Sequence, residues 1–173
     1  MDIFFVALVA AVIAWSAKTR SERERIALLG VQLRPFDIEK LMETLSEGYA
    51  RALGEEDSVR RQAIWEYLAP TEQRMAEQFA RFARQFSQVD AERSRVMRPD
   101  WPLSALLRLA SRAFPVLVRK NSFDMRELVT LHAHAIEQAA SRSELPPKAR
   151  AFTLLAELLL MQHSCHWFCK SRN

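Results

Sequence analysis

An uninterrupted apolar segment near the amino terminus places the strongest constraint on this chain. Residues 3–17 (IFFVALVAAVIAWSA) contain no charged residue, no proline and no glycine, and Lys18 and Arg20 follow directly. A helix that crosses a bilayer needs about 17 to 25 predominantly apolar residues. The stretch from residue 1 to residue 17 reaches this lower limit. We therefore predict that residues 1–20 form a single transmembrane anchor helix.

The residues that flank the segment define the expected topology. An aromatic residue falls where a membrane interface is expected, and cations gather on the carboxyl-terminal side of the segment. The positive-inside rule then places the amino terminus outside and the remainder of the chain in the cytoplasm. We expect a single-pass protein of the cell membrane that also contacts anionic lipid headgroups. The predicted membrane-interface residues are Trp15, Lys18, Arg20, Arg23 and Arg25.

Two other interpretations of the segment stay open. A cleaved signal peptide would carry positive charge before the apolar stretch and a small-residue cleavage site after it. Here Asp2 precedes the stretch and Lys-Thr-Arg follows it. The second alternative is an interfacial helix or a helix that docks on a partner protein. Both are less consistent with the flanking charges than an uncleaved anchor.

Composition narrows the class of protein. The net charge is +4 and the pI about 9.4, and much of the excess lies beside the anchor. Two cysteines are too few for a disulfide framework and suit a reducing compartment. The preference for arginine over lysine is typical of a GC-rich bacterial genome, so the membrane is expected to be a bacterial inner membrane.

The spacing of apolar residues predicts an all-α fold. Only three glycines occur, which argues against a sheet with many tight turns. We expect residues 21–36 to form a basic, helical juxtamembrane connector. Residues 37–173 then form one cytoplasmic α-helical domain, a bundle of about five to six helices.

Caps and prolines set the expected helix boundaries. Helices are predicted to begin at Asp37, at Asp57 or Ser58, after Thr71, after Asp100, after Ser122 or Asp124, and at Pro146 or Pro147. The helix that begins at 57–58 should end before Pro70. The next helix should run to residue 97 with a short heptad seam. The members of this seam are Met75, Phe79, Phe82, Phe86 and Val89.

Two further segments complete the predicted bundle. Residues 98–102 (RPDWP) should form a loop, and residues 103–117 a helix that Pro115 kinks or breaks. The last helix is apolar over most of its circumference, so we expect it to be the buried central helix of the bundle. Leu155 and Leu158 should be core residues, and Arg150 should belong to a polar stripe. The alternative is that residues 151–169 form a second membrane-embedded segment.

The strongest candidate for chemistry is a cluster of histidines and cysteines in HSCHWFC, residues 163–169. Imidazole and thiolate groups are the usual ligands of transition metals, and helical spacing makes several of these residues neighbours. The spacing matches no established zinc pattern, and a core helix with small buried thiols explains it equally well. The candidate ligands of a metal or haem iron are His163, Cys165, His166 and Cys169.

Two other patterns have structural explanations. His132 lies on an apolar stripe and His134 on the opposite polar face, so they cannot chelate one ion together, although His132 could approach His163 or His166. In FARFARQF, residues 79–86, the phenylalanines share one face and the arginines lie opposite. This arrangement favours an amphipathic helix over a surface that stacks bases, so we do not expect nucleic acid as a partner.

The sequence therefore favours binding over catalysis. It contains no nucleophile-elbow, phosphate-loop or zinc-protease motif, and we expect no resident cofactor. The predicted function is a membrane-anchored helical protein-interaction module: an adaptor, assembly or regulatory subunit of an inner-membrane complex. The alternatives are a metal- or haem-linked redox or sensor protein that uses the His/Cys cluster, and an enzyme whose site is assembled from scattered residues.

Overall fold

The structure is a computed structural model that describes residues 2–97 and 122–170. These residues form six helices and a two-stranded antiparallel sheet, which confirms the predicted all-α class. The sheet has only three residues in each strand and was not predicted. The elements are α1 Asp2–Leu33, α2 Ile38–Gly54, α3 Ser58–Phe86, α4 Ala91–Ser94, β1 Arg95–Met97, β2 Ser122–Asp124, α5 Met125–Ser141 and α6 Pro147–Lys170.

The chain divides into two compact units. The first contains the described residues of 1–30, 90–125 and 165–173, and the second contains residues 31–89 and 126–164. Helices α1 and α6 each contribute to both units. The domain boundaries expected from sequence, 1–20, 21–36 and 37–173, stay a prediction. The loop expected at 98–102 and the helix expected at 103–117 lie outside the described residues.

Within the second unit, the predicted heptad seam forms part of the core. All five of its residues are buried. The ring of Phe82 meets that of Phe79 edge-on, with 6.3 Å between centroids, and that of Phe36 at 5.9 Å. Edge-to-face geometry is favoured because the positive ring edge meets the negative ring face. The aromatic residues of the seam therefore pack against one another and against Phe36.

The expected break at Pro70 was wrong, because α3 continues through it. The helix begins at the predicted cap Asp57, whose carboxylate accepts hydrogen bonds from the backbone N–H groups of Val59 and Arg60. Pro70 is exposed, whereas Leu68 and Glu72 on either side of it are buried. Core packing before and after the proline thus offsets the hydrogen bond that the proline removes. The helix ends at Phe86 instead of residue 97.

A buried carboxylate joins three helices of the second unit. Glu72 of α3 is 2% exposed. Its Oε1 atom accepts a hydrogen bond of 2.9 Å from the Tyr49 hydroxyl of α2, and its Oε2 atom accepts one of 2.8 Å from Arg150 Nε of α6. Burial and the adjacent carboxylate both raise the pKa of Tyr49, because each disfavours a phenolate. Arg150 therefore pairs with this buried carboxylate and is itself largely covered, so its expected place on a polar stripe was wrong.

Helix α6 is buried along one face only, which corrects its expected place at the centre of the bundle. Ala151, Leu154, Leu158 and Met161 lie in the core, as predicted for Leu158, and Leu155 is half-buried. On the opposite face, about half of the side-chain surface of each large apolar residue stays exposed. Those residues are Phe152, Leu159 and Leu160.

The first unit contains the small sheet. Strands β1 and β2 are antiparallel, with Val96 opposite Phe123. The Ser94 hydroxyl donates a 3.0 Å hydrogen bond to Asp124 Oδ1, and Phe123 packs on Trp167 with ring centroids 5.0 Å apart. Strands of three residues are too short to predict from sequence, because alternation of apolar and polar residues over three positions also occurs by chance.

Within the described residues, no helix combines the length and the apolar character that crossing a membrane requires. The transmembrane part of the predicted fold is thus not supported by the structure.

We expect Arg150→Ala to lower the free energy of unfolding by about 3–5 kcal/mol, because it leaves the Glu72 carboxylate buried without its charged partner. Lys148→Ala removes an exposed cation two residues away on the same helix and should cost about 0.5 kcal/mol or less. Chemical denaturation of both variants measures the difference. Equal, small losses would show that the ion pair does not stabilise this unit.

Candidate functional site

The amino-terminal part of α1 exposes large apolar side chains that no other described element covers. Phe5 is 67% exposed and Trp15 72% exposed. The segment belongs to the first unit, as part of a continuous helix that runs to Leu33. The other large exposed apolar residues between them are Val6, Leu8, Val9, Val12 and Ile13.

Exposed side chains lie on opposite sides of this helical segment. Consecutive residues of a helix point about 100° apart, so the large exposed residues from Phe5 to Trp15 cover about half of the circumference, and the exposed alanines Ala7 and Ala11 lie on the other half. A helix that is apolar all round is normally buried on all sides. An exposed apolar surface of this kind marks a site that meets another protein or a lipid phase.

Cationic side chains follow the apolar segment, partly paired with acids on the same helix. Lys18 Nζ lies 3.6 Å from Glu22, and Arg20 Nε lies 3.0 Å from Glu24. Both are i,i+4 pairs, and Arg23 is exposed. Exposed ion pairs of this type contribute at most about 1 kcal/mol. Breaking these pairs therefore costs little.

Arg25 does not belong to that exposed surface, which corrects its predicted role. It is 4% exposed, and its guanidinium donates 2.9 Å hydrogen bonds to the backbone oxygens of Phe168 and Arg95. The guanidinium carbon also lies 5.0 Å from the centre of the Phe168 ring. Charge, hydrogen bonds and the ring face together hold this cation inside the first unit. Its role is thus to pack α1 against β1 and the end of α6.

The four candidate ligands near the carboxyl terminus do not converge. His163 and His166 are exposed, and Cys165 and Cys169 are half-buried and free. Among the described residues, no three histidine, cysteine or acidic side chains are arranged to share an ion. Helical spacing alone places neighbouring residues on one turn, whereas a closed metal site needs ligands from a second element.

The environment of the two thiols disfavours the thiolate. Burial raises the pKa of Cys165 from 9.0 to about 12, and Cys169 adds to this shift. Burial also raises the pKa of Cys169, although the charges of Arg25 and Lys170 oppose the change. The thiolate is the form that attacks electrophiles and binds metals. These positions therefore suit small packed side chains.

His132 forms a contact that sequence reasoning missed. Its Nδ1 lies 3.4 Å from Glu157 Oε2, and its Nε2 lies 3.1 Å from Ser164 Oγ. Within the second unit, its ring nitrogens contact Glu157 and Ser164 and not His163. Glu157 and Ser164 lie two turns apart on α6, so both side chains are on the face that contacts His132 of α5. The seven-residue spacing of Glu157 and Ser164 is the sequence feature that could have indicated this shared polar face.

The order Glu157–His132–Ser164 is that of an acid, a base and a nucleophile, but its setting differs from a hydrolytic site. The Ser164 hydroxyl donates to the backbone oxygen of Leu160 at 2.9 Å. Ser164 lies inside a continuous helix, where the adjacent backbone N–H groups already donate to helical carbonyls. Those groups cannot stabilise an oxyanion. The contact therefore links α5 to α6.

The aromatic residues of 79–86 are unavailable for base stacking. Phe79, Phe82 and Phe86 are buried, whereas Arg81 and Arg84 on the opposite face are exposed. Stacking on nucleic acid needs accessible rings beside the cations. The interleaved pattern is thus explained by packing.

Comparison with protein families, curated proteins and solved structures finds no match to this chain.

We expect Cys165 to react with iodoacetamide at pH 8 on the order of 100-fold more slowly, or slower still, in the folded protein than in urea, because the raised pKa suppresses the thiolate. Mass spectrometry of quenched samples measures the rate at each cysteine. The stability linked to this thiol is present at neutral pH and is lost as the pH rises through 9 to 12. Fast alkylation in the native state would contradict a buried thiol.

The double change Cys165→Ser, Cys169→Ser should cost only modest stability, because each new hydroxyl needs a hydrogen bond in a partly dry site. Thermal melts and metal analysis of protein purified without a polyhistidine tag test this. Stoichiometric zinc, iron or haem that disappears in the double variant would instead establish a ligand site.

Proposed function

We propose that this chain is a membrane-anchored helical protein-interaction module, a subunit or adaptor of a complex at a bacterial inner membrane. Residues 3–17 insert into the bilayer as a single-pass segment, and the helical units work beside the membrane. The observation that carries the proposal is the exposure of large apolar side chains over about half of the circumference of this part of α1, together with the exposure of Ala7 and Ala11 on the opposite side.

Lipid fits this segment better than a protein groove does. A groove that receives a helix covers one face, recognised by apolar residues at i, i+3, i+4 and i+7. Here the exposed residues Ala7 and Ala11 lie on the side of the helix opposite to Val9 and Ile13, which are exposed as well. A groove that covers one face leaves one of these sides in water, whereas a bilayer covers both.

The segment is short for a bilayer, and its flanking residues offset the mismatch. Fifteen helical residues span about 22 Å at 1.5 Å per residue, against a hydrocarbon core of about 30 Å. Local thinning and snorkelling accommodate a short segment at a modest cost. Lys18 and Arg20 are placed to extend their stems along the acyl chains towards phosphates, and Trp15 is placed for the interface.

Positive charge on the carboxyl-terminal side supports a cytoplasmic location for the helical units. The orientation rule counts lysines and arginines near the segment, and acidic residues contribute little to it. Lys18, Arg20 and Arg23 therefore count in full despite Glu22 and Glu24. The amino terminus then lies outside the cytoplasm.

Binding is the activity that the remaining surface supports. The histidine, thiol and hydroxyl groups described above are packed or exposed singly, which leaves no assembled reaction centre among them. By contrast, α6 exposes Phe152, Leu159 and Leu160 in the second unit. Exposed apolar patches of this kind mark surfaces that associate with other proteins.

We expect Val12→Glu in the full chain to release the protein from membranes, because a carboxylate in the hydrocarbon core costs about 2.5–3.5 kcal/mol on insertion scales. Deletion of residues 1–20 should have the same effect. Fractionation after a high-salt wash measures the distribution between membrane and supernatant.

Ile26→Glu is the matched control, because Ile26 is 51% exposed on the same helix beyond the apolar segment. It should leave the membrane fraction unchanged. Retention of the Val12→Glu variant and of the deletion variant in washed membranes would show that another segment or a tightly bound partner anchors the chain.

A further inference from the structure

The second unit contains an open apolar groove between α2, α3 and α6. About 200 Å³ of empty space, continuous with the solvent, lies between its walls, so it is an open depression and not an enclosed small-molecule site. The Lys148 ammonium lies 5.9 Å from the centre of the Phe152 ring at one side. An open groove with mostly apolar walls suits an apolar side chain of another molecule. It is lined by Tyr49, Leu53, Trp65, Lys148, Ala151, Phe152 and Leu155.

The outer face of α6 continues from this groove and is uncharged. Between Ala149 and His163, every exposed residue of the helix lacks a formal charge, although 27% of the chain is charged. The two charged residues within this stretch, Arg150 and Glu157, turn inward to Glu72 and His132. The exposed residues are Ala149, Phe152, Thr153, Ala156, Leu159, Leu160, Gln162 and His163.

This face has the spacing of a helix-packing seam. Ala149, Phe152, Ala156, Leu159 and His163 follow one another at intervals of three and four residues, which places them along one side of α6. Ala156 lies at the centre of the seam, and its small side chain allows a second helix to approach closely. Along the helix, the groove residues Phe152 and Leu155 precede Ala156, and the exposed Leu159 follows it.

We propose that this face binds the same face of a second copy of the chain, with the two α6 helices antiparallel and Ala156 at the two-fold axis. In this arrangement Leu159 of one copy lies level with Thr153 of the other. It is then beside Phe152 and Leu155 in the wall of the groove. Each copy thus supplies one leucine and one groove to the same interface.

Two observations favour a second copy over a different partner. An isologous interface requires a patch that is complementary to itself, and the leucine and the groove lie on opposite sides of Ala156. A charged side chain close to the two-fold axis would also lie beside the same side chain of the other copy, and the two like charges would repel each other. The absence of exposed charge from Ala149 to His163 removes this repulsion.

The first test is the mass of the full-length protein in detergent by density-matched sedimentation. We expect a concentration-dependent dimer. Leu159→Lys should raise its dissociation constant about tenfold or more, because it places a second ammonium in the groove that Lys148 lines. Leu131→Lys is the matched control, since Leu131 is 64% exposed and lies on α5 instead of α6. It should leave the dissociation constant unchanged.

The second test fixes the orientation by disulfide formation in a Cys165→Ser, Cys169→Ser background. Ala156→Cys should link two copies, because a disulfide needs Cα atoms within about 7 Å. Ala149→Cys should not link to itself, since seven residues from the axis put the two copies about 21 Å apart along the helix. Circular dichroism confirms that the variants keep their helices.

Three results would overturn the proposal. A monomeric wild-type chain at all concentrations would show that a different molecule covers this face. An equal loss of the dimer in the Leu131 and Leu159 variants, or no loss in either, would place the contact elsewhere. Linkage at both Ala149 and Ala156 would show parallel helices. If the serine background loses helicity, the sedimentation comparison decides alone.

Discussion

The buried carboxylate of Glu72 is the interaction on which the arrangement of the second unit depends. An isolated charge in a dry site costs several kcal/mol, so it is tolerated only where every oxygen has a partner. Tyr49 and Arg150 supply those partners from α2 and α6. This requirement fixes how the two helices sit against α3, because a shift of either one would leave the carboxylate unsatisfied. The same placement sets Tyr49 beside Ala151 and Phe152, and so forms the wall of the apolar groove.

The two apolar surfaces of the chain differ in how they are exposed, and this difference separates their proposed surroundings. In the first half of α1, the side chains that the structure describes between Phe5 and Ser16 are all exposed, on opposite sides of the helix, which suits a continuous apolar solvent. Helix α6 is exposed on one face, while Leu154 and Leu158 on the other face are fully buried. One-sided exposure at three- and four-residue spacing suits a second helix. Hydrophobicity averaged along each helix does not distinguish these cases, because both are apolar over most of their length.

Local patterns predicted the helices well, and long-range contacts account for what was missed. The period of Met75, Phe79 and Phe82 identified a core face, and the cap at Asp57 was correct, because both depend on neighbours in sequence. Pro70 was misjudged because core packing on both sides outweighs the local cost of a proline. Arg150 was misjudged because its partner Glu72 lies 78 residues away. For the same reason Arg25 resembled an interface cation, although Phe168 and Arg95 hold it inside the first unit.

The two proposed surfaces are linked through concentration. A contact between two helices buries less than the roughly 800 Å² per partner of a standard stable interface, so pairing through α6 alone is weak in dilute solution. Confinement of the chain to a membrane raises the concentration that each copy experiences, in the same way that a tether raises the effective concentration of a second binding site. An anchor at residues 3–17 would therefore populate the α6 pair without adding a contact to it. A weak, self-complementary face is in this view suited to assembly on a membrane surface and to dissociation away from it.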